Sequence, residues 1–168
     1  FKGGVDFLIY INKESSVNFV YANLYYKSSN KLHFKPYHIM EKDGAKIAFI
    51  GLSQSARSNS IINKNFIEEG NRYISELKSS VDIIVMLVNV LDENLIDFSQ
   101  SFSNADYIFL SGSSRRTEPR SKQSDSGALV YGGGIQGKHL SIVDIRIKVP
   151  NKAIIDVSSP FNRLQEID

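Results

Sequence analysis

No cysteine occurs anywhere in the 168 residues, which excludes a disulfide framework and a thiolate metal site. The absence fixes no compartment, because exported proteins also do without cysteine. Charge of one sign is scarce too. Twenty Lys and Arg against 18 Asp and Glu leave a net charge of +2, too little to hold a polyanion by bulk charge, and no nucleic-acid partner is expected. No apolar run approaches the roughly 18 residues that a membrane-spanning helix needs. The longest, residues 83–88, has six. No charged and apolar leader precedes Val5, so a chain that opens on Phe1 reads as a processed or truncated start. With 42% hydrophobic and 23% charged residues the composition is that of an ordinary globular domain, which excludes disorder of the whole chain. The length suits one domain.

Three short, wholly apolar runs stand out, at 47–50, 83–88 and 107–110. Without polar alternation they predict strands covered on both faces, as in a parallel sheet. A helical stripe lies between each pair. Between 65 and 80 it is Phe66, Ile67, Tyr73, Ile74 and Leu77, with Asn65 as N-cap. Around 92–103 it is Leu91, Leu95, Phe98 and Phe102. The result is a βαβαβ core. Before it, 18–24 reads as a strand, and 33–41 with the Asp43-Gly44 turn reads as a hairpin feeding the first core strand. After it come a polar loop at 111–126, a strand at 128–131, a glycine bend at 132–134, a longer strand at 140–149 and a last strand at 153–157. Antiparallel strands are expected to dominate this second half.

In an open α/β sheet ligands bind beyond the carboxyl ends of the parallel strands. Here those ends carry Gly51-Leu52-Ser53-Gln54, Asn89-Val90 and the segment from Ser111 to Arg116. A metal hydrolase needs several histidines or carboxylates at such places. The sequence offers one Asn, several Ser and two Arg. Asp92 and Glu93 follow Asn89, but they read as dipole-favoured residues of a first helical turn. The histidines do not cluster: His33 and His38 fall on the early hairpin, His139 opens a later strand, and each reads as a surface or edge residue. No G-x-S-x-G elbow is present. The triple glycine opens no helix, so it is a bend and not a dinucleotide loop. The loop 111–126 is the one positive candidate, with Arg115, Arg116, Arg120 and Lys122 against Glu118 and Asp125. Arginine forks and serine hydroxyls of this kind can hold a phosphate or carboxylate, but a solvated surface loop is the preferred reading.

Read together, these segments resemble the metallophosphoesterase (calcineurin-like) domain of the 5'-nucleotidase family. Phe1-Lys2-Gly3-Gly4 is similar to the run that follows the family's Gly-Asn-His-Glu motif. Val20-Tyr21-Ala22-Asn23-Leu24 resembles its Ala-Asn strand. Phe34-Lys35-Pro36-Tyr37, with the stretch from Gly44 to Leu52, resembles its next hairpin. Val81-Asp82 with the following apolar run, Ala105-Asp106 with the run up to Gly112, and the tail from Gly137 to Asp168 are similar to its later strands. The resemblance implies an α/β layered sandwich: a βαβαβ parallel core with antiparallel C-terminal strands, lacking the usual N-terminal part. It further implies one domain over 1–168, the C-terminal portion of the family domain.

The same resemblance implies lost chemistry. The family's metal-binding histidine after the second core strand would fall at Asn89, and its Gly-His-x-His motif at Gly112-Ser113-Ser114-Arg115. Its earlier ligands would precede Phe1. Asn89, Ser113 and Arg115 are thus degenerate metal positions, and Arg115 sets a cation where a dication belongs. No cofactor is expected. The function implied is a catalytically inactive domain kept as a structural or protein-interaction module, with a protein partner or a leading segment covering an exposed sheet edge. Two other readings stand beside it: a phosphoesterase or nucleotidase with altered ligands, and an anion- or nucleotide-binding module using Arg115, Arg116, Arg120 and Lys122 without turnover. An extracytoplasmic location (periplasmic, secreted or surface-attached) is implied by the resemblance alone.

Overall fold

The computed structural model describes residues 4–56, 58–91, 97–112, 127–134, 138–143, 145–148, 153–156 and 163–166. Helix α1 (Gly4–Glu14) comes first. Its Val5, Leu8 and Ile9 fall at i, i+3 and i+4, one helical face, and they join Leu24, Phe34 and Ile61 in a small apolar cluster. The sequence reading did not anticipate this helix. The expected strand at 18–24 is also corrected. Only β1 (Leu24–Tyr26) is regular, paired antiparallel with β4 (Ile61–Asn63). Residues ahead of it cross the end of the main sheet, with Val20 bridged singly to Lys35.

The hairpin forms as expected, from β2 (Tyr37–Lys42) and β3 (Ala45–Ser53). Asp43 and Gly44 both adopt positive φ, +52° and +79°, which suits a two-residue turn whose twist matches the strands. Strand β3 then pairs in parallel with β5 (Ile83–Asn89), and β5 with β6 (Tyr107–Ser111). The parallel βαβαβ core is therefore present. Helix α2 (Phe66–Leu77) starts at the expected cap: Asn65 Oδ1 accepts from the backbone N–H of Ile67 at 2.9 Å and of Glu68 at 3.3 Å, satisfying two otherwise orphaned donors. Helix α3 is short, Phe98–Ser101, capped by Asp97. The preceding residues 92–96, where a longer helix is predicted, lie outside the described residues.

Strand β7 (Leu129–Gly132) runs parallel to β6 and completes a five-stranded sheet ordered β2-β3-β5-β6-β7. Antiparallel pairing returns further on. The expected long strand at 140–149 is divided into β8 (His139–Ile142) and β9 (Ile145–Lys148). Strand β9 pairs with β10 (Ala153–Asp156), and β8 with β11 (Arg163–Glu166).

Both faces of the sheet are apolar, which is why the strands read as unbroken hydrophobic runs. One face sends Ala48, Ile50, Leu52, Ile84, Met86, Val88 and Ile108 against Phe66, Ile74 and Leu77 of α2 and Phe98 and Phe102 of α3. Full burial of each large side chain is worth about 1.5–3 kcal/mol, so this layer is the main source of stability. The opposite face carries Ile83, Val85, Tyr107 and Tyr131, flanked by partly buried Ile47, Phe49 and Phe109.

His33 departs from the surface position expected of it. Its ring stacks on Tyr26 with centroids 3.4 Å apart, and both ring nitrogens are buried without a hydrogen-bond partner. Burial pushes its pKa below the usual imidazole value, against a smaller upward pull from Asp6 of α1. The unfolded chain therefore takes up a proton at a pH where the folded one does not, and stability rises with pH across that interval. Stability is full above about 6.5, the unfolded value, and falls as acid drives the imidazole to charge. Urea unfolding at pH 7.5 and pH 5 is expected to show a larger acid loss for the wild type than for His33→Phe. Equal losses would refute the assignment.

Candidate functional site

The parallel strands end in register. Ser53 of β3 is opposite Asn89 of β5, and Asn89 is opposite Ser111 of β6. Parallel pairing thus lines up three polar residues at the end of the sheet where α/β folds place ligands. Asn89 Nδ2 donates to Ser111 Oγ at 3.1 Å. Ser53 Oγ lies 3.5 Å from Asn89 Oδ1 and donates at 3.0 Å to the carbonyl of Ser55. Because the hydroxyl has one proton, the shorter bond takes it. Backbone bonds tie the same tips together: Gln54 N–H donates to Asn89 O, Val90 N–H to Ser111 O, and the Leu91 N–H to Gln54 Oε1.

Asn23 locks the row from behind. It is fully buried. Its Nδ2 donates to the carbonyls of Ser53 at 2.9 Å and Lys64 at 2.8 Å, and its Oδ1 accepts from the Ser53 N–H at 3.1 Å. The crossing segment sits close above Gly51, where an added Cβ would overlap the Val20 carbonyl oxygen and lie 2.7 Å from its carbon. Gly112, just past β6, has φ +82°, and a Cβ there would collide with the Val90 carbonyl oxygen. Glycine at both positions lets backbone pack directly on backbone.

Between α1, the crossing segment and the strand tips lies a cavity of about 550 Å³. Leu8, Phe19, Leu87 and Phe109 give it an apolar wall, and Ser53, Asn89 and Ser111 supply its polar edge. No described lining residue is charged. Among the described residues no group of three or more His, Asp or Glu side chains is placed to hold a metal ion. Neutral amide and hydroxyl oxygens, partly engaged with one another, are a poor match for a pair of dications, which call for carboxylates or imidazoles. The residues described at these tips do not fit a two-metal centre. His38 stands away from the tips on the edge strand β2, opposite Phe49.

Of the residues singled out from sequence, Asn89 stands at the tip of β5 as expected. Ser113, Arg115, Arg116, Arg120 and Lys122 lie outside the described residues. Sequence reasoning placed Asn23 in an Ala-Asn motif but gave it no role, because its partner Ser53 is 30 positions away. Tyr21, which lines the cavity, has its pKa raised by burial, against a smaller lowering from its hydrogen bond with Ser53. Another buried titratable group is Asp106, at the opposite end of the sheet. Burial raises its pKa, and a 2.7 Å bond from the Ile84 N–H pulls it back down. That carboxylate anchors the start of β5 and is remote from the tips.

No protein-family model matches the chain. A 5'-nucleotidase of Vibrio cholerae is 36% identical over 80 residues, which is 41% of this chain and 14% of that protein. Among solved structures, a Staphylococcus aureus chain whose 5'-nucleotidase assignment is itself provisional superposes with a TM-score of 0.73 at 17% identity, covering 98% of this chain and 35% of its own. The NAD nucleotidase of Haemophilus influenzae gives 0.70 at 18%, covering 94% and 36%. The chain thus spans about a third of each of these two solved structures and a seventh of the curated relative. It has the fold of 5'-nucleotidase-like metallophosphoesterases, and the resemblance read from its sequence holds. Among the described residues no helix is long and apolar enough to cross a membrane.

Proposed function

We propose that this chain is a non-catalytic 5'-nucleotidase-like domain, one unit over 1–168 corresponding to the C-terminal portion of the family domain, and that it serves as a structural or protein-interaction module. One observation carries the reading: where the fold would have a cation pair, the strand tips hold Ser53, Asn89 and Ser111 in register, all neutral, with Asn89 hydrogen-bonded to Ser111. Hydrolysis of a phosphate ester by this fold needs a metal-activated water and a positive charge to receive the developing anion. None of these three side chains can supply either. Exposed aromatic side chains on α1, Phe7 at 52% and Tyr10 at 59%, are consistent with a surface that meets another protein. An extracytoplasmic location, implied by the resemblance, is part of the same proposal.

The test is metal analysis of purified protein, together with hydrolysis of a generic aryl phosphate in the presence of added manganese or zinc. The expected result is substoichiometric metal and no turnover above buffer. A pair of bound transition ions per chain with turnover would overturn the proposal in favour of a working phosphoesterase.

A further inference from the structure

We infer that the cavity at the strand tips binds an uncharged small molecule with an apolar body and a carboxamide-like head, a head that donates and accepts a hydrogen bond side by side. The inference rests on the non-catalytic reading above, because a cation pair at the same tips would occupy the place of the head. Its first support is size: about 550 Å³ lies within the roughly 300–1,000 Å³ typical of small-molecule sites. The second is the wall. Leu8, Phe19, Leu87 and Phe109 come from four separate stretches of chain, and no described lining residue is charged. Among the described lining residues an ionic ligand would find no charged partner to offset lost hydration.

The third support is the unused capacity of Asn89. Its Nδ2 carries two hydrogens, of which Ser111 Oγ takes one. Among the described residues its Oδ1 has only the 3.5 Å contact from Ser53 Oγ, whose proton goes to Ser55 O. One N–H and one carbonyl oxygen therefore remain adjacent on an exposed side chain. A carboxamide or lactam edge matches both at once. A carboxylate of the same shape matches the N–H but sets negative charge against Oδ1.

Cinnamamide and cinnamate share a skeleton and differ in this respect, and either can be followed on the whole chain by saturation-transfer NMR. Cinnamamide is expected to bind about tenfold or more tightly than cinnamate, the worth of one net hydrogen bond. Asn89→Leu should erase that preference. Leu87→Trp, at a position 39% exposed and so tolerant of a larger side chain, should block binding by filling the cavity while leaving the thermal midpoint close to wild type. Absence of saturation transfer to cinnamamide, equal affinity for the two compounds, or unchanged binding in a folded Leu87→Trp protein would overturn the inference. Failure here with no metal bound leaves the non-catalytic reading standing, whereas bound metal with turnover removes both.

Discussion

Gly51→Ala is expected to cost about 3 kcal/mol or more, at or beyond the upper end of ordinary overpacking. The added methyl would meet the Val20 backbone, not the movable end of a side chain. That backbone cannot retreat easily, because Ala22 N–H donates to Gly51 O at 2.7 Å and Tyr21 N–H to Lys35 O at 2.8 Å. Relief would require peeling the crossing segment, and α1 with it, from the end of the sheet. Gly44→Ala is the informative comparison. Its Cβ would meet open space and only the positive φ opposes it, so its cost should stay near 1 kcal/mol. Urea denaturation of both variants measures the difference. If Gly51→Ala proved no worse than Gly44→Ala, the close crossing would be wrong.

Asn23→Ala should be comparably damaging, with a loss of about 3–5 kcal/mol. The substitution deletes bonds to two carbonyls and one N–H, and each buried polar group left without a partner costs about 1–3 kcal/mol. A typical domain has only about 5–15 kcal/mol to lose. Asn23→Asp separates shape from hydrogen bonding. It keeps the size and the acceptor facing Ser53 N–H, but turns a carboxylate oxygen toward the Ser53 and Lys64 carbonyls. It should therefore be no milder than alanine. A loss below 1 kcal/mol for either variant, read from the same denaturation curves, would show that Asn23 does not tie the sheet to the segment after β4.

What the sequence revealed and what it hid have a common cause. The βαβαβ core was legible because both faces of its strands are apolar, so period and composition agree over 83–88 and 107–110. The Asn65 cap and the Asp43-Gly44 turn were legible because each acts within a few residues. The strand expected at 18–24 had a sound apolar pattern, since Ala22 and Leu24 are fully buried. Yet burial there comes from a crossing over Gly51, not from a ladder, and pattern alone does not distinguish the two. The direction of β7 is set by how the chain returns after Ser111 to place Leu129 beside Tyr107, which local signals do not encode. At the candidate site, Asn89 followed from its place after an apolar strand. Asn23 did not, because its purpose appears only once the ends of β3 and β4 are brought together.

The neutral row at the strand tips also has an evolutionary consequence. An imidazole placed alone at position 89 would find only amide and hydroxyl side chains as co-ligands among its described neighbours. A single substitution therefore creates no cation site there, and holding an ion at these tips would take several coordinated substitutions at once.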